Sequence, residues 1–312
     1  MSRGRGALSV VLLAVSLAAS LAGCGGASGA GGTAPSGGVV VAVGAENQYA
    51  DVIAQIGGPY VSAKSILDNP NTDPHTFESS PTVAREIGGA ALVVQNGAGY
   101  DNFMSKIESA SPSSRRTVIV VQHLLALPNS TPNPHLWYDP KTMPAVASAV
   151  AAALSALEPA QAAYFSSQVT AFDQSLQPWH DAIAAFKATY GATAAATTEP
   201  VADYLLTAMG IDNLTPFGFQ ADIMNGIDPT PQDIALENGF FTKHHVKVFC
   251  YNAQVEDNLT STIRKNAVKA GIPVVAVYET MPTPGYHYQT WMLAEVRAID
   301  KAVAGGGSTV SL

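Results

Sequence analysis

The sequence predicts an α/β protein of two lobes, each a mainly parallel sheet with flanking helices, joined by one long rigid backbone helix. Three observations carry that prediction. Short apolar runs alternate with helical patterns, as in a parallel sheet. The second half of the chain repeats the grammar of the first. Between the halves, Glu158 to Gly191 keeps its apolar positions at helical spacing.

The first 23 residues read as an address. Arg3 and Arg5 precede the apolar run ALSVVLLAVSLAASLAG, which falls short of the roughly 20 apolar residues of a membrane span. The run ends in LAGC, Leu21 to Cys24, the lipobox pattern of bacterial lipoproteins, in which the chain is cut before a cysteine that receives the lipid. Residues 24–38 are rich in Gly and Ser and free of charge, a flexible tether. A lipid on Cys24 and a tether place the body outside the cytoplasm, anchored to the outer face of the cell membrane.

In the body, Val39–Val43 reads as a strand that turns into a helix around Ala45. Strands follow at 61–66, 91–97 and 117–121, with helices TVAREIGG and NFMSKIESA between them. This N-terminal lobe spans 39–157. The linking helix covers 158–190, with Pro159 in its first turn and Pro178 predicted to kink or interrupt it. The C-terminal lobe, 191–312, has strands at 192–200, 246–252 and 272–279. Among its helices, the one ending at Lys269 has Gly271 as its stop.

Composition narrows the function. An apolar fraction of 47% is ample for a core, and a net charge of −8 lends no support to nucleic-acid binding. Removing residues 1–23 takes away two arginines and no acids, which deepens the charge to −10. The second cysteine, Cys250, lies alone in the apolar run VKVFCYN and reads as a buried, inert thiol.

Two segments, NPNTDPHTFESSP and TPNPHLWYDP, each present a histidine directly after a proline, in a chain with seven histidines. Proline restricts its own φ and the residue before it, so the directions of His75 and His135 are partly set before anything binds. Glu199 and Glu279 close strands, where α/β proteins place ligands. For either glutamate alone, capping the next helix is an equal alternative. Together the four form an N₂O₂ donor set suited to Zn²⁺, Mn²⁺ or Fe²⁺, and the lack of thiolate disfavours Cu(I).

In these segments, together with AENQYADVIAQIGG and TTEPVADYLLTAMG, the chain resembles the solute-binding lipoproteins of manganese and zinc ABC transporters. That metal-binding cluster includes the streptococcal adhesin-like antigens. The resemblance runs from Val39 to about Val303 and implies the cluster A-I type of solute-binding fold, with a metal held between the lobes. Carried over residue by residue, it implies His75, His135, Glu199 and a carboxylate near Glu279 as ligands. His287 is the competitor for the last position. Glu78, Asn133 and Asp139 are candidate outer partners of the histidines. Many relatives end the set with aspartate, and zinc-specific members often have histidine third and a His-rich loop. Glu199 and the neutral LLALPNSTP tilt the expectation mildly towards Mn²⁺.

The implied partners are an ABC permease with its ATPase subunits, and the membrane through the anchor; the protein itself is expected to be a monomer and not an enzyme. The alternative is a lipid-anchored binder of an organic solute, using Trp137, Tyr138, Tyr286 and Trp291 as platforms. A metal-dependent hydrolase is more distant, since no HExxH, GxSxG or phosphate loop is present.

Overall fold

The computed structural model describes residues 38–69 and 77–312; Cys24, the address and tether segments before residue 38, and His75 lie outside them. Strand β1 (Val40–Glu46) runs three residues beyond the expected Val39–Val43 and displaces the expected helix start from Ala45. The cause is pairing: β1 lies between β2 (Val61–Leu67) and β3 (Leu92–Gln95), with Gly44 opposite Val94 and Glu46 opposite Leu67. Ladder partners on both sides hold Gly44 extended, and the pairing of Glu46 with Leu67 carries the strand on past Ala45. Helix α1 (Asn47–Gly57) follows at once, with Tyr49, Val52, Ile53 and Ile56 facing the core.

Helix α2 (Pro81–Gly89) begins on Ser80, whose Oγ accepts from the Val83 N–H, with Pro81 where a missing N–H costs nothing. Then come α3 (Asn102–Ala110), β4 (Thr117–Val120), the short α4 (Val121–Leu124) and α5 (Thr142–Leu157). The linking segment is a 3₁₀ turn over Pro159–Gln161, α6 (Ala162–Ser175) and α7 (Gln177–Tyr190). Pro178 makes the break as predicted, because it cannot donate to the carbonyl of Gln174. Leu176 at the joint keeps helical angles, so the two halves remain nearly continuous. Helix α6 packs on α1 and α5. The second lobe has β5 (Ala194–Thr197), α8 (Asp203–Ala208), β6 (Asp212–Asn213), α9 (Phe217–Met224), α10 (Pro231–Thr242), β7 (Val248–Asn252), α11 (Asn258–Lys269), β8 (Val274–Val277) and α12 (Tyr288–Gly305). Helix α7 packs on α12, so the linking segment is tied to both lobes.

Both sheets are parallel and four-stranded, with orders β2-β1-β3-β4 and β6-β5-β7-β8. Each therefore reverses direction between its first and third strands in sequence. The crevice outside the carboxyl ends there is where open α/β sheets bind ligands. No helix among the described residues is long and apolar enough to cross a membrane.

A seam of side-chain bonds joins the start of α1 to the second lobe. Asn47 pairs with both the N–H and the carbonyl of Met281, at 2.8 Å each, and Gln48 Nε2 donates to the Glu279 carbonyl. One turn on, Asp51 accepts from the Tyr288 N–H, and Gln55 exchanges bonds with Gln289. Buried Glu295 of α12 completes the seam by accepting from Trp291 Nε1–H and Tyr138 Oη–H.

Burial pushes the Glu295 carboxyl from an ordinary 4.5 up to about 8. Since the folded state holds that proton more tightly, its stability is full below about pH 4.5 and declines as pH rises to about 8. Glu295→Gln is expected to remove on the order of 3 kcal/mol of that decline. Urea unfolding at pH 5 and pH 8.5 measures it, and an unchanged difference between the two pH values refutes the assignment.

Candidate metal centre

The Pro134-His135 turn is held from three sides. Asn133 Nδ2 donates to the Pro200 carbonyl at 2.8 Å, which fixes which end of the amide faces inward. Asn133 Oδ1 then accepts from the His135 backbone N–H and lies 2.8 Å from the ring Nδ1. An amide oxygen can only accept, so Nδ1 carries a proton, and in the neutral ring Nε2 is the atom with the lone pair. Asn96, just past β3, donates from Nδ2 to the Pro134 carbonyl at 2.8 Å and accepts from Tyr49 Oη–H at 2.6 Å. Its own backbone is gripped by Asp101, which accepts from the Asn96 and Gly97 N–H groups. The turn there needs Gly97, at φ +77°, where a Cβ would come within 2.9 Å of Val120. Burial lifts the Asp101 carboxyl to about 6 despite those two donors.

His135 Nε2 lies 3.5 Å from Glu279 Oε2, and both side chains are fully buried. Asn252, the last residue of β7, donates from Nδ2 to Glu279 Oε1 at 2.6 Å and to Glu199 Oε1 at 3.2 Å, tying the two carboxylates together. Its Oδ1 accepts from the Gln254 N–H, so the amide is oriented as firmly as that of Asn133. Tyr100 Oη–H donates to Glu279 Oε2 at 2.8 Å. Gln254 Oε1 accepts from the N–H groups of Glu279 and Thr280, and its Nε2 reaches the carbonyl of Asn69, where the described chain stops before residue 77.

Around the imidazole, Tyr100, His135 and Trp137 meet edge to face with centroids 5.1–5.8 Å apart, and Tyr138 meets Trp291 in the same way. Trp137, Tyr138 and Trp291 are fully buried, whereas Tyr286 is only partly so. Tyr100 and Trp137 thus wall the imidazole directly. The rings present no open platform.

The structure thus brings His135, Glu199 and Glu279 to one buried place. Among the described residues, no group of three or more His, Cys, Asp or Glu side chains is already converged as in a closed metal site. Of the expected outer partners, Asn133 contacts His135. Asp139 does not: its Oδ1 accepts from the Lys141 N–H, the ordinary work of an aspartate in a turn. Glu78 is exposed. His287 stands at the N-cap of α12, and its Nδ1 lies 2.7 Å from Asp51 Oδ1. Cys250 is a buried free thiol whose pKa burial pushes up, in keeping with an inert role.

Sequence reasoning passed over Asn96, Tyr100, Asn252 and Gln254, which hold the candidate side chains or their backbone. For the three amides the signal was a polar residue at or just past the end of an apolar strand, in VVQNG and FCYNAQ; Tyr100 had none. As donors, one neutral imidazole and two carboxylates suit a divalent ion of borderline or hard character. His135 Nε2 and Glu279 Oε2, 3.5 Å apart, are both atoms of a kind that ligates such ions.

The family described as zinc-uptake complex component A, periplasmic, matches residues 42–302. A Thermotoga maritima protein with a metal-binding name is 33% identical over 94 residues, 30% of this chain. The zinc-binding protein TroA of Treponema pallidum is 28% identical over 143 residues, 44% of this chain. The chain spans 33% and 45% of the length of these two relatives. In structure, periplasmic zinc-binding TroA superposes with a TM-score of 0.71 at 20% identity, over 86% of this chain and 100% of that one. FpvC of Pseudomonas aeruginosa, solved in complex with Mn²⁺, gives 0.70 at 19% identity, over 87% and 100%. At those identities the likeness is one of fold.

Proposed function

From the premise that the chain belongs to the family of periplasmic zinc-uptake complex component A proteins, we propose that it captures a divalent transition-metal ion, Zn²⁺ or Mn²⁺, outside the cytoplasm and delivers it to the permease of an ABC importer. The observation that carries the proposal is the buried junction of His135 Nε2 with Glu279 and Glu199, the two carboxylates tied together by Asn252. TroA is named for zinc and FpvC was solved with Mn²⁺, and both ions fit this donor chemistry.

On this reading His135 comes from the first lobe and Glu199 and Glu279 from the second, with His75 the remaining ligand. The body divides at 157 and 191 around the linking helix, and the protein works as a monomer tethered by a lipid on Cys24. The ion is cargo, and no reaction is catalysed. Both halves of the linking segment and the Asn47–Gln55 seam hold the lobes together. Loading therefore changes the molecule mainly at the ligand loops, and the permease reads that local difference.

The test is metal content. The chain purified without chelator and reloaded with Zn²⁺ or Mn²⁺ at neutral pH is expected to hold about one ion per chain, as one buried site requires. A Glu199→Gln, Glu279→Gln double variant is expected to hold almost none. Equal metal in both, by mass spectrometry of the metal, would move the site elsewhere.

A further inference from the structure

The two lobes carry the same arrangement at their switch points, and one member of it has not been used. β1 and β5 are equivalent: each is the first strand of its lobe and pairs with the strands that follow it on both sides. Extending the register of β1 with β3 by two residues sets Glu46 level with Asn96. Extending that of β5 with β7 by two sets Glu199 level with Asn252. Each lobe thus has a glutamate and an asparagine side by side at the carboxyl ends of its two central strands. In the second lobe the pair is joined, since Asn252 Nδ2 donates to Glu199. In the first, Asn96 Nδ2 is committed to the carbonyls of Pro134 and Gly97.

Glu46 is left without such support. It is fully buried, and among the described residues neither of its carboxyl oxygens has a hydrogen-bond partner. It occupies the N-cap position of α1, yet its side chain does not cap that helix. Its charged neighbours are acids: Asp101 and Glu279 both disfavour its ionised form, and its own backbone N–H eases it. Tyr100, which donates to Glu279, feels the charges of Glu279 and Glu46 together. A buried carboxyl of this kind is costly unless a proton or a cation compensates it.

We propose that Glu46 is a third carboxylate donor to the cargo ion, the first-lobe counterpart of Glu199, and that it favours Mn²⁺ over Zn²⁺. This rests on the reading of the chain as a metal receptor. An added oxygen donor raises the coordination number, which a hard ion of flexible geometry uses and a tetrahedral Zn²⁺ does not need. It also adds negative charge in a buried place, where Coulomb attraction is strong.

The experiment compares the unaltered chain with Glu46→Gln, which keeps the size and removes the charge, and Glu46→Leu, which removes the oxygens. Binding of Mn²⁺ and of Zn²⁺ is measured by competition with a chelating dye, and the metal shell is read by X-ray absorption. Melting of the metal-free variants shows that each is folded. For Glu46→Gln the expected result is a loss of Mn²⁺ affinity of about tenfold or more, with Zn²⁺ falling by less than about threefold. The Mn²⁺ shell of Glu46→Leu is expected to lose one protein oxygen. Unchanged Mn²⁺ binding in both variants, or equal losses for the two metals, would overturn the proposal and leave Glu46 a protonated core acid. If the unaltered chain takes up neither metal, the receptor reading itself fails; if it takes up metal and Glu46→Gln matches it, only this inference does.

Discussion

His135→Ala is expected to abolish metal retention at micromolar ion concentration, a loss beyond the roughly 10–100-fold that changes to outer partners cost. The argument is geometric. Asn133 fixes the tautomer that leaves Nε2 with its lone pair, and that atom lies 3.5 Å from Glu279 Oε2. No other described histidine is recruited by the surrounding bonds: His287 is committed to Asp51 at the far end of the seam, and His123 is exposed. Alanine keeps the backbone N–H that donates to Asn133 Oδ1, so the turn itself survives. His123→Ala serves as the control and is expected to retain metal like the unaltered chain. Metal content after dialysis, together with circular dichroism, separates loss of a ligand from loss of fold. Retained metal in a folded His135→Ala chain would remove this histidine from the site.

Trp137→Ala is expected to have the largest effect on stability, on the order of 3–5 kcal/mol, because a fully buried indole leaves a cavity that its neighbours cannot fill. Trp137 meets Tyr100, His135 and Tyr138, so the cavity opens beside the imidazole itself. Among the described residues its Nε1–H has no hydrogen-bond partner, so Trp137→Phe gives up packing area but no bond. The phenylalanine variant should therefore lose less than half as much. Its backbone carbonyl, which accepts from Tyr288 Oη–H, is kept in both. Thermal unfolding measures the difference, and the alanine variant should melt roughly 10 °C lower. A loss under about 1 kcal/mol for alanine would mean that the ring is not part of the core and that the aromatic jacket is looser than its packing implies.

The parts of the fold that were legible in the sequence are those with local causes. Apolar runs between turn residues located the strands, and helical spacing located the linking segment. Pro178 marked its break, because the missing N–H is a property of that one residue. The end of β1 was misplaced by three residues for the opposite reason. Gly44, Ala45 and Glu46 have no strand preference of their own and are extended because Gly44 pairs with both β2 and β3 and Glu46 pairs with β2.

The candidate site divides along the same line. The Pro-His turn and the strand-end glutamates are patterns of a few adjacent residues, and they could be named before any contact was known. Their supports could not. Tyr100 finds Glu279 across 179 residues of chain, Asn47 finds Met281 across 234, and Asn133 finds Pro200 across 67. Asp139 was assigned to His135 by proximity in sequence, but its carboxylate was satisfied by the nearer Lys141 N–H. By itself, then, the sequence determined the α/β alternation, the linking helix and the chemical types of the donors, because each depends on a residue and its immediate neighbours. Only the tertiary structure decided which amide orients which candidate side chain, and that Glu46 stands in the first lobe where Glu199 stands in the second. Those choices belong to side chains that meet only after both sheets have formed, and a hydrogen bond leaves no trace in the sequence until its partner is in place.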